Sequence, residues 1–335
     1  MVMMSHLTRY VYLGLFIFGI FFFGYVSPVS ALTLSPARIE TFGAQGDVVK
    51  KDITVFNDSK TLSQTVYLSF SNFESQGETG SPYFTVPTEG IGTWMTGPQE
   101  VTLEPGKSKT VTITIAVPKD APPGGHFGAV FFGTTPNQKD GGQVSIGAKT
   151  GTLILLSVPG EVIEGGGIES FNTKDKRFFF TSLPVDLVYR LSNEGNDRIK
   201  PKGTITIRNI FFYLSGRLDA NQTLGNVLPG STRVFTTSWI KHPRDNNAEP
   251  VVGFLNSFMD TVSYQWNNFA VGPYMARLAI SYDSTQVQHT KTAFFFVFPW
   301  QLLIIISCVG SIFFFIGRIL LRRYVARVIK NTHTI

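Results

Sequence analysis

The sequence predicts an all-β fold in which two β-sandwich domains stand in tandem between two apolar ends. Three observations predict it. Short segments of alternating apolar and polar residues recur along residues 32–293, turn-forming residues separate them, and an apolar run occupies each end of the 335-residue chain. The 262 residues between these ends are enough for two domains of ordinary size.

The first 31 residues predict a secretory signal peptide. His6 and Arg9 make the start positive, an apolar run of 17 residues extends from Tyr10 to Val26, and Val29-Ser30-Ala31 fits a signal peptidase site. We expect cleavage after Ala31. Because the run lies between typical signal and spanning lengths, a retained membrane anchor is the alternative. Either outcome exports the chain that follows.

Residues 294–321 predict one transmembrane helix. The 24 residues from Phe294 to Gly317 carry no charge, and as a helix they would reach about 36 Å, which exceeds a hydrocarbon core of about 30 Å. Trp300 suits the interface. Basic residues follow the span, so the positive-inside rule places the tail, residues 322–335, in the cytoplasm. We therefore expect a single-pass plasma-membrane protein with its N-terminal ectodomain outside.

The charge distribution gives no support to a nucleic-acid partner. Of the 29 lysines and arginines, Arg9 precedes the ectodomain and five follow the charge-free run, which leaves 23 against the 23 acidic residues of the ectodomain. The net charge of +6 therefore reflects topology. The single cysteine, Cys308, lies in the predicted span, so we expect the ectodomain to be stabilised by packing without an intrachain disulfide.

The first predicted domain, residues 32–139, contains strands with clear alternation. Ile53–Phe56, Thr65–Phe70 and Val111–Val117 are rich in β-branched and aromatic residues. Segments such as Asn57-Asp58-Ser59 and Pro105-Gly106 predict turns between them. Many short strands at this spacing are typical of a sandwich or a barrel.

The second predicted domain, residues 140–293, repeats the order of the first. The segments ITVFNDS, TLEPGKSKTVTITIAV and GGHFGAVFFG are echoed by LVYRLSNEG, NVLPGSTRVFTTSW and VGPYMARLAISY. Each set predicts a strand with an asparagine turn, a Pro-Gly turn with an alternating strand, and an aromatic strand. This order favours two immunoglobulin-like sandwiches, with Tyr274 at a tyrosine-corner position.

Two segments interrupt this pattern. An insertion at residues 241–269 contains apolar residues at helical spacing and predicts a short amphipathic helix, which either caps the core or contacts the membrane or a partner. The glycine-rich segment Pro136–Gly147 predicts the linker between the domains. TGTLILLSVPGEV, which follows it, is compatible with either sheet.

The motifs of enzymes and metal sites are not readable in this sequence. His126, His242 and His289 are isolated, Lys149 is out of register for a P-loop after Gly142 and Gly147, and no GxSxG or SxxK occurs. We therefore expect no catalytic residue, no bound metal and no cofactor.

Tyr83, Phe84 and Trp94 are the candidate binding residues. They belong to the irregular segment SPYFTVPTEGIGTWM, and aromatic rings can contact either sugars or protein. The alternative for Trp94 is a core position in the sandwich.

Residues Pro123, Gly124, Gly125 and His126 predict a structural turn that enters an apolar strand. Prolines cannot donate to a β-ladder and glycines permit the turn, while Phe127 to Phe132 are apolar on both strand faces. A lone histidine lacks the partners that catalysis needs, so we expect His126 to hydrogen-bond locally.

Residues 32–136 resemble a known family. LTLSPARIE, ITVFNDS and VTLEPGKSKTVTITIAVPKDAPPGGHFGAVFF, with the anchored C-terminus, are similar to bacterial cell-surface proteins of the WxL-interacting type. The resemblance implies a first domain that binds peptidoglycan, a second that engages a host or partner protein, and a terminal membrane helix. The second domain matches in architecture, and no ligand residues are transferred.

A more distant similarity is to periplasmic pilus chaperones. These also have two immunoglobulin-like domains and an arginine in the first strand, for which Arg38 is the counterpart here. They pair that arginine with a lysine on the last strand of the first domain. The segment GAVFFGTTP, expected to be that strand, contains no lysine.

These patterns lead to two main functional hypotheses and a weaker third. The first is a non-catalytic, membrane-anchored surface protein whose ectodomain binds cell-wall peptidoglycan or another envelope protein. The second is a membrane-anchored chaperone or assembly factor that pairs β-strand edges with surface proteins. The third is a glycan hydrolase whose acids meet only in three dimensions. The lipid bilayer is the expected partner of the C-terminal helix.

Overall fold

A computed structural model describes residues 32–136, 149–245, 252–282 and 288–332, with side chains through residue 325. The predicted signal peptide, residues 137–147 of the predicted linker, and Val251 lie outside the described residues. The described chain divides into two compact units. The first comprises residues 32–73, 84–122 and 126–159, and the second comprises residues 74–83, 123–125 and 160–332.

The first β-sandwich has two sheets with strand orders β1-β3-β8-β6 and β2-β10-β9-β4-β5, and β7 also pairs with β4. A four-residue helix, α1 (Ile91–Trp94), precedes β6. The strands are β1 (Leu32–Ser35), β2 (Arg38–Phe42), β3 (Val48–Asn57), β4 (Gln64–Gln76), β5 (Ser81–Thr85), β6 (Met95–Thr96), β7 (Glu100–Leu103), β8 (Ser108–Ala116), β9 (Gly124–Gly133) and β10 (Lys149–Val158).

The alternation read from the sequence builds the core of this sandwich. Successive side chains of a strand point to opposite faces, so every second residue is buried from Ile53 onward in β3 and from Val111 to Ile115 in β8. The fully buried side chains of this core, from both sheets, are Ile53, Val55, Val66, Ile113, Ile115, Val130, Phe132, Ile154 and Leu156.

Strand β10 belongs to the first unit, which corrects the predicted boundary at residues 139 and 140. It pairs in parallel with β2, with Leu153 opposite Arg38 and Ser157 opposite Phe42. The physical reason is packing, because Ile154 and Leu156 fill the first core. Strand β9 is consequently an inner strand of its sheet and not the last one.

The second β-sandwich has strand orders β11-β13-β16 and β12-β18-β17-β14-β15. A short 3-10 helix (Lys174–Lys176) follows β11. The strands are β11 (Gly166–Thr173), β12 (Phe179–Phe180), β13 (Val185–Asn193), β14 (Lys202–Asn209), β15 (Leu214–Asp219), β16 (Ser231–Trp239), β17 (Gly272–Ser281) and β18 (His289–Val297). Both units are thus immunoglobulin-like β-sandwiches, as the sequence predicts.

Aromatic side chains dominate the second core. Trp239 is 4.9 Å from Tyr274 and 5.8 Å from Phe295, measured between ring centroids. The hydroxyl of Tyr274, at the position read as a tyrosine corner, accepts a hydrogen bond from the backbone N–H of Val271 at 3.2 Å. This bond to the backbone three residues upstream fixes the start of β17.

In the described part of the insertion, residues 241–245 and 252–269, one helix is present, α2 (Phe254–Asn267). Only Val262 and Gln265 of this helix are buried, while Phe254, Leu255, Met259 and Trp266 are exposed. The predicted apolar face therefore does not cap the core of the sandwich.

The C-terminal helix, α3 (Trp300–Thr332), begins later than the sequence predicts. Residues 294–297 belong to β18, because Phe295 and Val297 are buried in the second core while Phe294 is exposed. This two-residue alternation is that of a strand. The helix also continues to Thr332 through most of the predicted tail, and its Trp300–Val325 segment is long and apolar enough to cross a membrane.

Candidate binding face

The outer face of the larger sheet in the first unit carries a row of apolar side chains. Strands β9 and β4 are antiparallel neighbours, with Phe131 opposite Ser69 and Ala129 opposite Ser71. Since Leu68 and Phe132 point into the core, these four residues point away from it. Strand β9 therefore contributes apolar side chains both to the core and to the outer face of the sheet.

Four phenylalanine rings form a cluster on this face. Phe84 of β5 lies 4.8 Å from Phe131 and 6.1 Å from Phe73, measured between centroids, with interplanar angles of 80° and 63°. Phe73 lies 6.0 Å from Phe127. These edge-to-face and tilted arrangements are favourable for aromatic pairs. Phe73 is buried, Phe127 and Phe131 are half-buried, and Phe84 is exposed.

Strand β2 forms one edge of this face. It is the terminal strand of its sheet and pairs with β10, so among the described residues no strand covers its other side. Ile39 and Thr41 are buried, whereas Arg38, Glu40 and Phe42 point outward. Arg38 Nε is 3.1 Å from Glu40 Oε1, and the side chain of Phe42 is 75% exposed.

The outer face is continuous from β2 toward the phenylalanine cluster. The parallel register places Arg38 beside Leu153 and Glu40 beside Leu155. Leu155 is buried and Leu153 is half-buried. We call the surface formed by Phe42, Leu153, Phe131, Phe127 and Phe84 the aromatic face.

The three candidate binding residues do not form one site. Phe84 belongs to the aromatic face, and Tyr83 is an exposed residue of β5. Trp94 lies on α1, where it is half-buried and packs against the first core, with its ring centroid 4.6 Å from that of His126. Trp94 therefore has the partly core position that the sequence left open.

The predicted structural turn is closely packed. Gly124 has a positive φ of 115°, and a Cβ atom at this position would lie 2.3 Å from the carbonyl oxygen of Asn196. The backbone N–H of Gly125 donates to the same oxygen at 2.8 Å. Pro123 is exposed and precedes this close approach.

His126 makes a local contact at the start of β9. Its Nε2 atom lies 2.9 Å from the carbonyl oxygen of Pro122. Among the residues with described positions, no group of three or more histidine, cysteine, aspartate or glutamate side chains could hold a metal ion.

Sequence reasoning did not place Phe42, Phe73, Phe127 and Phe131 in one surface. One signal was available in β9, which is apolar on both faces of the strand although only one faces the core. A second signal lies in β4, where the outward series Ser69, Ser71, Phe73 ends in an aromatic residue.

No family model matches the chain, and no curated protein matches it. Among solved structures, the class 5 fimbriae chaperone CfaA is similar at 14% identity and a TM-score of 0.37, covering 79% of this chain and 99% of its own. The E. coli chaperone DraB has 12% identity and a TM-score of 0.35, covering 80% of this chain and 97% of its own. The periplasmic chaperone SfaE has 10% identity and a TM-score of 0.34, covering 78% and 99%.

Proposed function

We propose that the protein is a membrane-anchored, non-catalytic assembly factor that binds an extended segment of another surface protein along β2. The observation that carries this proposal is that β2 is the terminal strand of its sheet among the described residues and lies next to the aromatic face. An open edge offers backbone N–H and C=O groups to an incoming strand, and the neighbouring side chains select its sequence.

The geometry of β2 fits this role. A strand added to β2 would direct every second side chain toward the outer face, beside Arg38, Glu40 and Phe42. Phe42 supplies an apolar contact at the edge, while the Arg38 and Glu40 pair supplies one charge of each sign. We expect a partner segment with alternating apolar residues and a polar or charged residue near the Arg38 end.

The same geometry gives less support to peptidoglycan binding. Aromatic residues that stack on sugars present a flat exposed ring, but the rings of the aromatic face meet edge to face. Trp94 has the largest ring of the three candidates, and it packs against His126 and the core. Peptidoglycan binding, implied by the resemblance to the WxL-interacting type, is therefore the second proposal.

Membrane anchoring is part of the proposal. Helix α3 is apolar over the length of a membrane span, and Arg318, Arg322 and Arg323 come late in it. Positive residues favour the cytoplasmic side. We expect both sandwiches to lie outside the plasma membrane and the C-terminus to lie in the cytoplasm.

The test is site-specific photocrosslinking in cells that express the full chain. A photoreactive phenylalanine analogue replaces Phe42 or Phe84, and the matched control replaces Leu62, an exposed apolar residue in the loop between β3 and β4. We expect one protein adduct at position 42, on the edge strand, and none at 62. Position 84, four strands from β2 in the same sheet, tests whether the partner also covers the aromatic face. Equal adducts at all three positions would contradict the proposal.

A second arm separates the two proposed ligands. The full chain in detergent is sedimented with isolated cell-wall sacculi, with and without F42K. A lysine on an edge strand opposes pairing with another strand. If the chain sediments with the sacculi equally well with and without F42K, and no protein adduct forms at position 42, peptidoglycan is the favoured ligand.

A further inference from the structure

One end of the second unit gathers three segments around the start of α3. In the five-stranded sheet, Asn209 at the end of β14 is opposite Tyr274, and Gly272 at the start of β17 is opposite Val297. The turn after β14 therefore lies at the same end of the sheet as Trp300, where α3 begins. Strand β12 also reaches this end, because Phe180 pairs with Val297.

The turn after β14 presents four consecutive apolar or aromatic residues, Ile210, Phe211, Phe212 and Tyr213. Phe211 and Phe212 are 74% and 68% exposed. Turns that face water use glycine, asparagine, aspartate and serine. This turn is nevertheless ordered, because the backbone N–H groups of Phe211 and Tyr213 each donate to Asn209 Oδ1 at 3.0 Å.

Helix α2 is fixed against the first turn of α3. Gln265 Nε2 donates to Gln301 Oε1 at 2.6 Å, and Gln265 Oε1 accepts from the backbone N–H of Leu302 at 3.0 Å. The rings of Phe258 and Trp300 lie 6.3 Å apart. The exposed apolar side chains of α2 are therefore held beside the base of the membrane span.

An apolar groove of about 800 Å³ lies between α2 and α3. Val262 and Trp266 line one side, and α3 residues from Leu302 to Phe313 line the other. Ile305 and Phe313 lie about 8 and 20 Å along the helix from Trp300. If α3 spans a bilayer, the side of α2 that faces these residues lies within the same bilayer.

We infer that this end of the second unit is embedded in the bilayer that α3 crosses, with α2 and the 210–213 turn at the boundary between headgroups and acyl chains. The inference rests on the membrane anchoring in the proposed function. Lipid is the occupant because the groove is continuous with the span itself. Tyr213, Trp266 and Trp300 supply the aromatic residues that favour this depth.

Cationic groups accompany the apolar ones at this end. Arg208 Nη1 donates to the carbonyl oxygen of Phe212 at 3.3 Å, and the Arg177 guanidinium lies 5.3 Å from the Phe180 ring centroid. Arg244 lies 4.6 Å from the Tyr264 ring centroid and 3.1 Å from the carboxylate of Asp260. Arg208, beside the exposed Phe212, can contact a lipid phosphate while that ring enters the acyl region, whereas Phe180 and Tyr264 are half-buried.

The test measures depth in the full chain, reconstituted in nanodiscs of phosphatidylcholine and phosphatidylglycerol. In a C308S background, single cysteines carry a spin label in F211C, L255C, L224C and V309C. Leu224 is the matched control, because it is 55% exposed and follows Asn221, close to the opposite end of the sheet. Position 309 reports whether α3 spans. The depth of each spin label is measured from the ratio of its collision rates with oxygen, which concentrates in the bilayer, and with a water-soluble nickel chelate.

We expect lipid-like accessibility at 211 and 255, a deep position at 309, and water-like accessibility at 224. If the labels at 211 and 255 are as accessible to water as the label at 224 while the label at 309 is deep, α3 spans the bilayer but this end of the second unit is not embedded in it. If 309 is also water-like, the anchoring itself is wrong. Each labelled chain must retain the circular dichroism spectrum of the parent, which shows that it is folded. The double variant F211S/F212S should reduce the accessibility to oxygen of the label at 255 and leave that of the label at 224 unchanged.

Discussion

The side-chain amide of Asn193 donates to the backbone carbonyl of Val227 at 2.9 Å, just before the Leu228-Pro229-Gly230 turn. Asn57 forms the equivalent bond in the first unit, donating to the carbonyl of Leu103, just before Glu104-Pro105-Gly106, at 3.4 Å. Each asparagine side chain also accepts from the backbone N–H two residues later. An asparagine at the end of a strand therefore makes the same hydrogen bonds to the backbone in both sandwiches. This supports the repeat that the sequence predicts.

Removing either asparagine is expected to destabilise its unit. N193A removes the hydrogen bonds to the carbonyl of Asp197 and from the N–H of Gly195, while the carbonyl of Val227 keeps its bond from the N–H of Ile199. Buried groups left without hydrogen bonds cost about 1 to 3 kcal/mol. Urea unfolding should show this loss for N193A and N57A, and the exposed control Q222A should change stability by less than about 0.5 kcal/mol. Equal stability of N193A and Q222A would refute the role.

Tyr189 is expected to make the second unit sensitive to alkaline pH. Burial is the largest cause that raises the pKa of its hydroxyl, the nearby Asp219 raises it further, and Arg233 opposes the shift. The unfolded chain loses this proton near a pKa of about 10, so the contribution is intact below pH 10 and is lost as pH rises above it.

The Y189F variant isolates this effect. It should be less stable by about 1 kcal/mol at pH 7, because the hydrogen bond to Ala220 is lost. Between pH 10 and 11 the wild-type chain should lose up to about 1.4 kcal/mol per pH unit more than the variant. Parallel curves of unfolding free energy against pH would show that Tyr189 does not titrate differently in the folded state.

Gly124 is expected to be the most sensitive residue of the predicted turn. In G124A the new methyl group would collide with the backbone oxygen of Asn196 and the residue would keep a positive φ. We expect a loss of about 2 kcal/mol or more. The control is G106A, whose φ is also positive but which has no atom within 4 Å of the added Cβ, so only about 1 kcal/mol of strain is expected. Equal melting temperatures of the two variants would contradict this.

Strand β10 is expected to be essential to the first unit. L156A removes a fully buried side chain from the first core, and such truncations cost about 2 to 5 kcal/mol. The exposed Leu62 provides the control, and L62A should change stability by less than about 0.5 kcal/mol. Denaturant unfolding followed by hydrogen exchange assigns the loss to a unit. A loss confined to the second unit would contradict the assignment of β10.

The sequence predicted the fold class because alternation in β3, β8 and β13 is regular and its turns carry proline, glycine and asparagine. It left β10 undecided for a physical reason. Leu153 to Leu156 form an uninterrupted apolar run, since Leu155 is buried on the outer face and Ile154 and Leu156 are buried in the core. Such a run has no period that identifies its sheet.

The aromatic face depends on contacts between distant parts of the chain. Phe73 and Phe127 meet through the pairing of β4 with β9, and Phe84 joins them from β5. A local pattern cannot supply that register. Trp94 was a candidate because of its residue type, but the short helix that carries it turns the indole toward the core.

The predicted start of the span, Phe294, is too early because of the composition around it. The residues from Phe294 to Phe298 are as apolar as the helix that follows, so hydropathy extends the predicted span into β18. Pairing of Pro273 with Phe296 and burial of Phe295 show where the strand ends.

The most direct test of strand pairing along β2 is amide hydrogen exchange on the full chain, alone and bound to the partner captured at position 42. Strand pairing along β2 predicts that amides of residues 38–42 that do not bond to β10 become protected by about tenfold or more on binding. Those of the other short edge strands, β1 and β6, should be unchanged. Unchanged exchange along β2 in the bound complex would contradict binding by strand pairing.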